Sequence, residues 1–195
     1  VYRADENEYW KVIWDKFRAG DRRAFETIYN EYVDALFVYG MKITPHHALV
    51  EDAIQDVFLD IYKYSSRLKK PESLEFYLYK SLRHNIVKKL SEKFRFSHYD
   101  DFVAQFDLKF PIEEAELDDL EEHTGLLKNE LQNLDSKKRE LLFLKFNSGL
   151  TYTEIGELIN CKSDTVKKQV QRILKLLRGK LGEDFLNLFV FSFRK

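Results

Sequence analysis

Apolar residues recur along this chain at intervals of three and four, the spacing that gathers side chains onto one face of a helix. Residues 8–39 read as two helical pieces, broken at Ala19-Gly20-Asp21, where Gly20 can end one helix and Asp21 can cap the next. The second piece carries Phe25, Ile28, Tyr29, Tyr32, Leu36 and Phe37 as one stripe. Residues 44–64 predict another helix, with Thr44 as N-cap, Pro45 at the first helical position, and Val50, Ala53, Ile54, Val57, Phe58 and Ile61 as its buried face. Glu51, Asp52, Gln55, Asp56 and Asp60 fall largely on its opposite face. Residues 65–72 read as a loop, and residues 73–94 as a helix with Leu74, Tyr77, Leu78, Leu82, Ile86 and Leu90 inward. Residues 126–146 predict one or two helices divided near Leu134-Asp135-Ser136.

The stretch 150–178 is the most specific. Thr151 and Glu154 have capping-box spacing, and Ile155, Leu158 and Ile159 supply the buried side of a short helix. Asn160 to Ser163 form a short polar turn, with Ser163 or Asp164 available to cap the next helix. That helix buries Val166, Val170, Ile173, Leu174 and Leu177 and leaves a polar face. Two helices joined this way form a helix-turn-helix, whose second member can enter a DNA major groove. Ser163, Thr165, Lys167, Lys168, Gln171, Arg172 and Lys175 are the candidate DNA contacts. Lys and Arg suit phosphates, and Gln, Thr and Arg can read base edges. A merely solvated basic helix is the plainer alternative.

Composition sharpens this picture. With 7 Gly and 3 Pro in 195 residues, helices are favoured over a turn-rich β architecture. The net charge of −1 hides segregation: residues 1–95 carry +2, residues 96–125 carry −9, and residues 126–182 carry +6. An acidic linker between two neutral-to-basic domains follows. The expected organisation is all-α: a first domain over 8–95, a linker over 96–125, a helix-turn-helix domain over 126–182, and an apolar tail over 183–195.

Residues 62–95 hold 10 basic and 3 acidic side chains, interleaved with aromatics, a combination suited to single-stranded DNA. Cys161 is the single cysteine, which excludes an internal disulfide or a Cys-based zinc cluster. His46 and His47 adjoin Glu51 and Asp52, but an exposed first helical turn is the better reading, and no metal or cofactor is expected. No phosphate-binding Gly loop or nucleophile constellation appears, so an enzyme is not expected. The charged N-terminus shows no signal-like run, and no stretch reaches the roughly 18 apolar residues of a membrane span.

These motifs together resemble the sigma-70 family, in its extracytoplasmic-function group. LDSKKRELLFLKFNSGLTYTEIGELINCKSDTVKKQVQRILKLLR resembles the family's region 4, with Gly156 at a usual Ala and Asn160-Cys161 at a frequent Gly-Ile. AGDRRAFETIYNEYVDALFVYGMKI, VEDAIQDVFLDIYKY and SLEFYLYKSLRHNIVKKLSEKFR resemble successive parts of region 2. No region 3 intervenes. The resemblance implies a non-enzymatic, cytoplasmic sigma factor. Its partners would be core RNA polymerase, promoter DNA and an anti-sigma factor, often membrane-anchored in the family, with no small-molecule substrate. It assigns Glu51, Asp52, Gln55, Asp56 and Phe58 to the polymerase. It assigns Arg67, Lys69, Lys70, Tyr79, Arg83, Asn85, Lys88 and Lys89 to the minus-ten element, and the helix-turn-helix residues to the minus-thirty-five element. The competing reading is a helix-turn-helix regulator with a helical dimerisation or ligand domain. Tyr77, where the family has Trp, is expected to be buried, and the tail either completes the region 4 core or stabilises an inhibited form.

Overall fold

A computed structural model describes residues 2–68, 71–94, 106 and 121–182, and the chain divides into two compact units, 1–102 and 103–195. All regular structure among the described residues is helical.

The first unit contains α1 (Tyr2–Arg18), α2 (Arg22–Ile43), α3 (His47–Tyr64) and α4 (Leu74–Phe94). The α1–α2 break forms as its residues predict: Gly20 takes φ 94°, and the Asp21 carboxylate accepts from the backbone N–H groups of Arg23 (2.8 Å) and Ala24 (3.4 Å). Helix α2 runs on to Ile43. This corrects the expected start of the next helix: Thr44 closes α2, its N–H donating to Gly40, and α3 begins only at His47. The Thr44 hydroxyl accepts from the His46 N–H (3.4 Å), so it stabilises the connection between the helices, and Pro45 lies outside the helix.

Helix α3 packs on α2 and α4, α2 also packs on α4, and α1 contacts both α2 and α4. Trp14, Ile28, Leu36, Tyr39, Val50, Ile61, Leu78, Leu82 and Ile86 are among the residues that fill the core. Gly40 lets α2 lie close against α3 and α4: a Cβ there would lie 2.5 Å from Val50 Cγ1 and 3.2 Å from Ile86 Cδ1. Among the described residues, no helix is long and apolar enough to cross a membrane.

The second unit contains α5 (Glu121–Gln132), α6 (Ser136–Leu142), a π-helical stretch (Phe143–Asn147), α7 (Tyr152–Leu158) and α8 (Ser163–Leu181). Asp135 caps α6 through the Lys138 N–H (2.9 Å), at the division predicted near Leu134-Asp135-Ser136. Leu127, Leu131, Leu134, Leu142, Ile173 and Leu177 form a buried cluster joining α5, α6 and α8. Helix α5 starts inside the segment read as linker, and Phe106, from the middle of that segment, is buried edge-on against Phe143 at 6.0 Å. Its charge-rich surroundings concealed an apolar residue of the second unit's core. The C-terminal tail, 183–195, lies outside the described residues.

Candidate nucleic-acid and partner interface

The helix-turn-helix is built around a tight turn. Thr151 and Glu154 close the capping box in both directions, with Thr151 N–H donating to the carboxylate (2.7 Å) and Glu154 N–H to the hydroxyl (3.2 Å). Lys145, reaching back from the π-helical stretch, donates to the Leu150 carbonyl (3.1 Å) and lies over the Tyr152 ring (4.8 Å). At the far end of α7, Asn160 takes the left-handed conformation (φ 56°), and the Cys161 N–H donates back to the Gly156 carbonyl (2.7 Å). This is a Schellman closure. It brings the turn so close that a Cβ on Gly156 would meet the Cys161 carbonyl oxygen at 2.5 Å.

Helix α8 begins after Lys162, whose side chain makes no capping bond; neither Ser163 nor Asp164 is the cap, since both lie within the first turn. The Lys162 carbonyl accepts from the Thr165 N–H (2.9 Å) and the Val166 N–H (3.1 Å), so the helix starts one or two residues earlier than a cap at Ser163 or Asp164 would give. Val166, Val170, Ile173 and Leu177 are buried, and Thr165, Lys167, Lys168, Gln171, Arg172 and Lys175 are exposed, with Ser163 half-buried. The predicted DNA-contact set therefore shares one helix, on its solvent side.

In the first unit the outcome is divided. Glu51, Asp52 and Gln55 are exposed on α3. Asp56 is half-buried and bonded to Lys89 on α4 at 2.7 Å, which joins residues assigned to two different partners. Phe58 is a correction: it is buried against Phe25 and Tyr29 and shapes the α3 face only from behind. On α4, Lys88 is exposed and Asn85 half-buried, and Arg67 is exposed on the preceding loop. Lys69 and Lys70 lie outside the described residues.

Tyr79 and Arg83 are also corrections, at 1% and 3% exposure. Tyr79 packs on buried Tyr39, with ring centroids 5.0 Å apart, so it belongs to the core. Tyr77 is only half-buried, edge-on to Trp14; burial pushes its phenol up, a bond with Ser81 opposes that, and nearby Asp60 adds to it, so it stays neutral at physiological pH.

The exposed stripe of α4 is instead Lys80, His84 and Lys88. Lys80 lies over the Phe76 ring at 5.2 Å, and it was not among the sequence-derived candidates. Its four-residue spacing from His84 and Lys88 was the signal available. Among the described residues, Tyr62 and Tyr64, at the end of α3, are the exposed aromatics nearest this basic region in sequence.

Comparison with known proteins gives the same order of parts. The sigma-70 region 2 family model matches residues 28–95, and the sigma-70 region 4 model matches residues 124–177. The ECF RNA polymerase sigma factor SigW of Bacillus subtilis (strain 168) is 25% identical over 176 residues, covering 85% of this chain and 93% of that protein. The fold is shared with the solved structure of CnrH in complex with the cytosolic domain of CnrY, at a TM-score of 0.54 and 16% identity over 91% of this chain and 97% of that one. It is shared also with RpoE in complex with the anti-sigma factor NepR from Bartonella quintana, at a TM-score of 0.55 and 21% identity over 82% of this chain and 98% of that one.

Proposed function

This chain belongs to the extracytoplasmic-function group of the sigma-70 family, and from that premise we propose how its two units divide promoter recognition. The second unit reads the minus-thirty-five element as duplex. Helix α8 lies in the major groove, with Lys167, Lys168 and Lys175 on phosphates and Thr165, Gln171 and Arg172 toward base edges. The first unit docks on core RNA polymerase through the exposed Glu51, Asp52 and Gln55 of α3, which pair with basic groups on the polymerase and fix register. Its α4 stripe, Lys80, His84 and Lys88, holds the displaced strand of the minus-ten element beside Asn85, Arg67 and the loop before α4. Tyr62 and Tyr64 offer ring faces for unstacked bases.

The observation that carries this reading is the exposed polar face of α8 over a buried apolar stripe, held at a closed turn behind a capping box. The order of an acidic α3 face and a basic α4 stripe ahead of it favours a polymerase subunit over a self-associating regulator. The chain performs no catalytic step of its own and works in the cytoplasm, where polymerase and DNA meet. The solved RpoE complex with the anti-sigma factor NepR supports an anti-sigma partner for this chain too.

Run-off transcription with core polymerase tests the reading. Initiation from a selected promoter only when this chain is added is the expected result. Failure to bind core, with dimerisation on duplex DNA instead, would make the chain a conventional helix-turn-helix regulator.

A further inference from the structure

Asp56 and Lys89 hold each other across the seam between α3 and α4. Asp56 Oδ2 is 2.7 Å from Lys89 Nζ, and their side chains are 48% and 29% exposed. The pair is thus reachable from solvent, yet set by two helices that pack together. Asp52 stands one turn before Asp56 on α3, and Lys88 adjoins Lys89 on α4. Asp52 and Lys89 also line a shallow groove with Leu49, Glu92 and Lys93, so the pair borders open surface.

Each charge of this pair masks the other. A phosphate approaching Lys89 meets the Asp56 carboxylate behind it, and a basic group approaching Asp56 meets the Lys89 ammonium. We propose that the Asp56–Lys89 pair is a latch that makes polymerase docking on α3 and DNA binding on α4 mutually reinforcing. The proposal rests on the assignment of α3 to polymerase and α4 to DNA. A cationic group of the polymerase that takes Asp56 leaves Lys89 on a flexible four-carbon stem, free to turn to a phosphate. DNA that takes Lys89 leaves Asp56 open to the polymerase. Linkage requires the two effects to be equal in size. A half-exposed ion pair is worth roughly a two- to fivefold change in an equilibrium constant, which sets the size of the coupling.

The test measures binding of a single-stranded minus-ten oligonucleotide to the full chain, first alone and then with saturating core polymerase. Asp56→Asn should raise the free chain's affinity roughly two- to fivefold and steepen its salt dependence. Adding Lys89→Ala should abolish that gain. Asp56→Glu, which keeps the charge, should bind like wild type, and Asp60→Asn isolates the effect of net charge alone. With core bound, Asp56→Asn and wild type should bind the oligonucleotide equally. The latch is overturned if Asp56→Asn leaves free-chain binding unchanged, if Asp60→Asn reproduces its gain, if the gain survives Lys89→Ala, or if it persists undiminished with core. A wild-type chain that does not bind core overturns the assignment of α3 itself, and the latch with it. Normal core binding with no Asp56→Asn effect overturns the latch only.

Discussion

Gly156 and Asn160 show how single residues set the helix-turn-helix. The resemblance to region 4 flags Gly156 as a departure from a usual Ala, without saying what the departure does. In the structure it allows the Cys161 carbonyl to approach to where a Cβ would sit, 2.5 Å away. The obstacle is backbone, which cannot rotate aside, so Gly156→Ala should destabilise the second unit by about 1–3 kcal/mol in denaturant unfolding and weaken duplex binding. Asn160 stands in the left-handed region, φ 56°, where glycine carries no Cβ penalty. Asn160→Gly should therefore be neutral or stabilising by up to about 1 kcal/mol, the opposite sign within one turn. A destabilised Asn160→Gly would mean that the Asn side chain itself supports the turn. Tyr79 and Arg83 belong to this same scale: the family resemblance assigns both to DNA, but each stands one residue past an inward leucine, Leu78 or Leu82, and is itself buried. Helix α4 is contacted by α1, α2 and α3, so its buried arc is wider than one stripe.

At the scale of elements, capping and charge decide the behaviour of α6, α7 and α8. Thr151→Ala removes the hydroxyl half of the capping box, leaving only the backbone N–H of residue 151 to donate to Glu154, and should cost about 1 kcal/mol. Its effect should be read by thermal unfolding, alongside Glu154→Ala as a partner in a double-mutant cycle; additive losses would count against a reciprocal box. Asp135 gives α6 a pH dependence. Partial burial works against its ionisation, but the bonds and charge of Lys138, with Arg139, outweigh this and hold its carboxyl below the usual carboxylate range. A carboxyl lowered in the folded state contributes stability that is present above its unfolded value of about 4 and lost as pH falls through the folded one. The destabilisation caused by Asp135→Asn should therefore be visible at pH 7 and fade below about pH 4, and it should be small, because Asp135 is 55% exposed. On α8, replacing Lys167, Lys168 or Lys175 with Ala should weaken every duplex alike and reduce the salt slope by about 0.9 for each lost phosphate contact. Arg172→Ala or Gln171→Ala should relax sequence preference instead, costing about 1–3 kcal/mol on the best site. Equal losses on specific and unrelated duplexes would reassign those two residues to the backbone.

For the whole molecule, a net charge of −1 is a poor guide to DNA binding, because its charges are segregated along the chain. The free chain should bind duplex promoter weakly, with affinity falling steeply between low and physiological salt. Salt-insensitive binding would oppose the two-site reading. Phe106 bears on the same scale. Phe106→Ala should cost about 3–5 kcal/mol, because its ring is 1% exposed against Phe143. Chemical unfolding of the variant checks this.

The sequence by itself determined the helical class, the break at Gly20-Asp21, the capping box at Thr151-Glu154 and the polar face of α8. Each of these rests on residues within about one helical turn of each other, so local spacing carries the information. Tertiary structure alone decided the rest. It ran α2 through to Ile43, sent Phe58, Tyr79 and Arg83 inward, and drew Phe106 into the second unit's core. It also set Asp56 against Lys89, 33 positions away. Those outcomes depend on which helix packs against which face, and a periodic pattern read one helix at a time contains no partner.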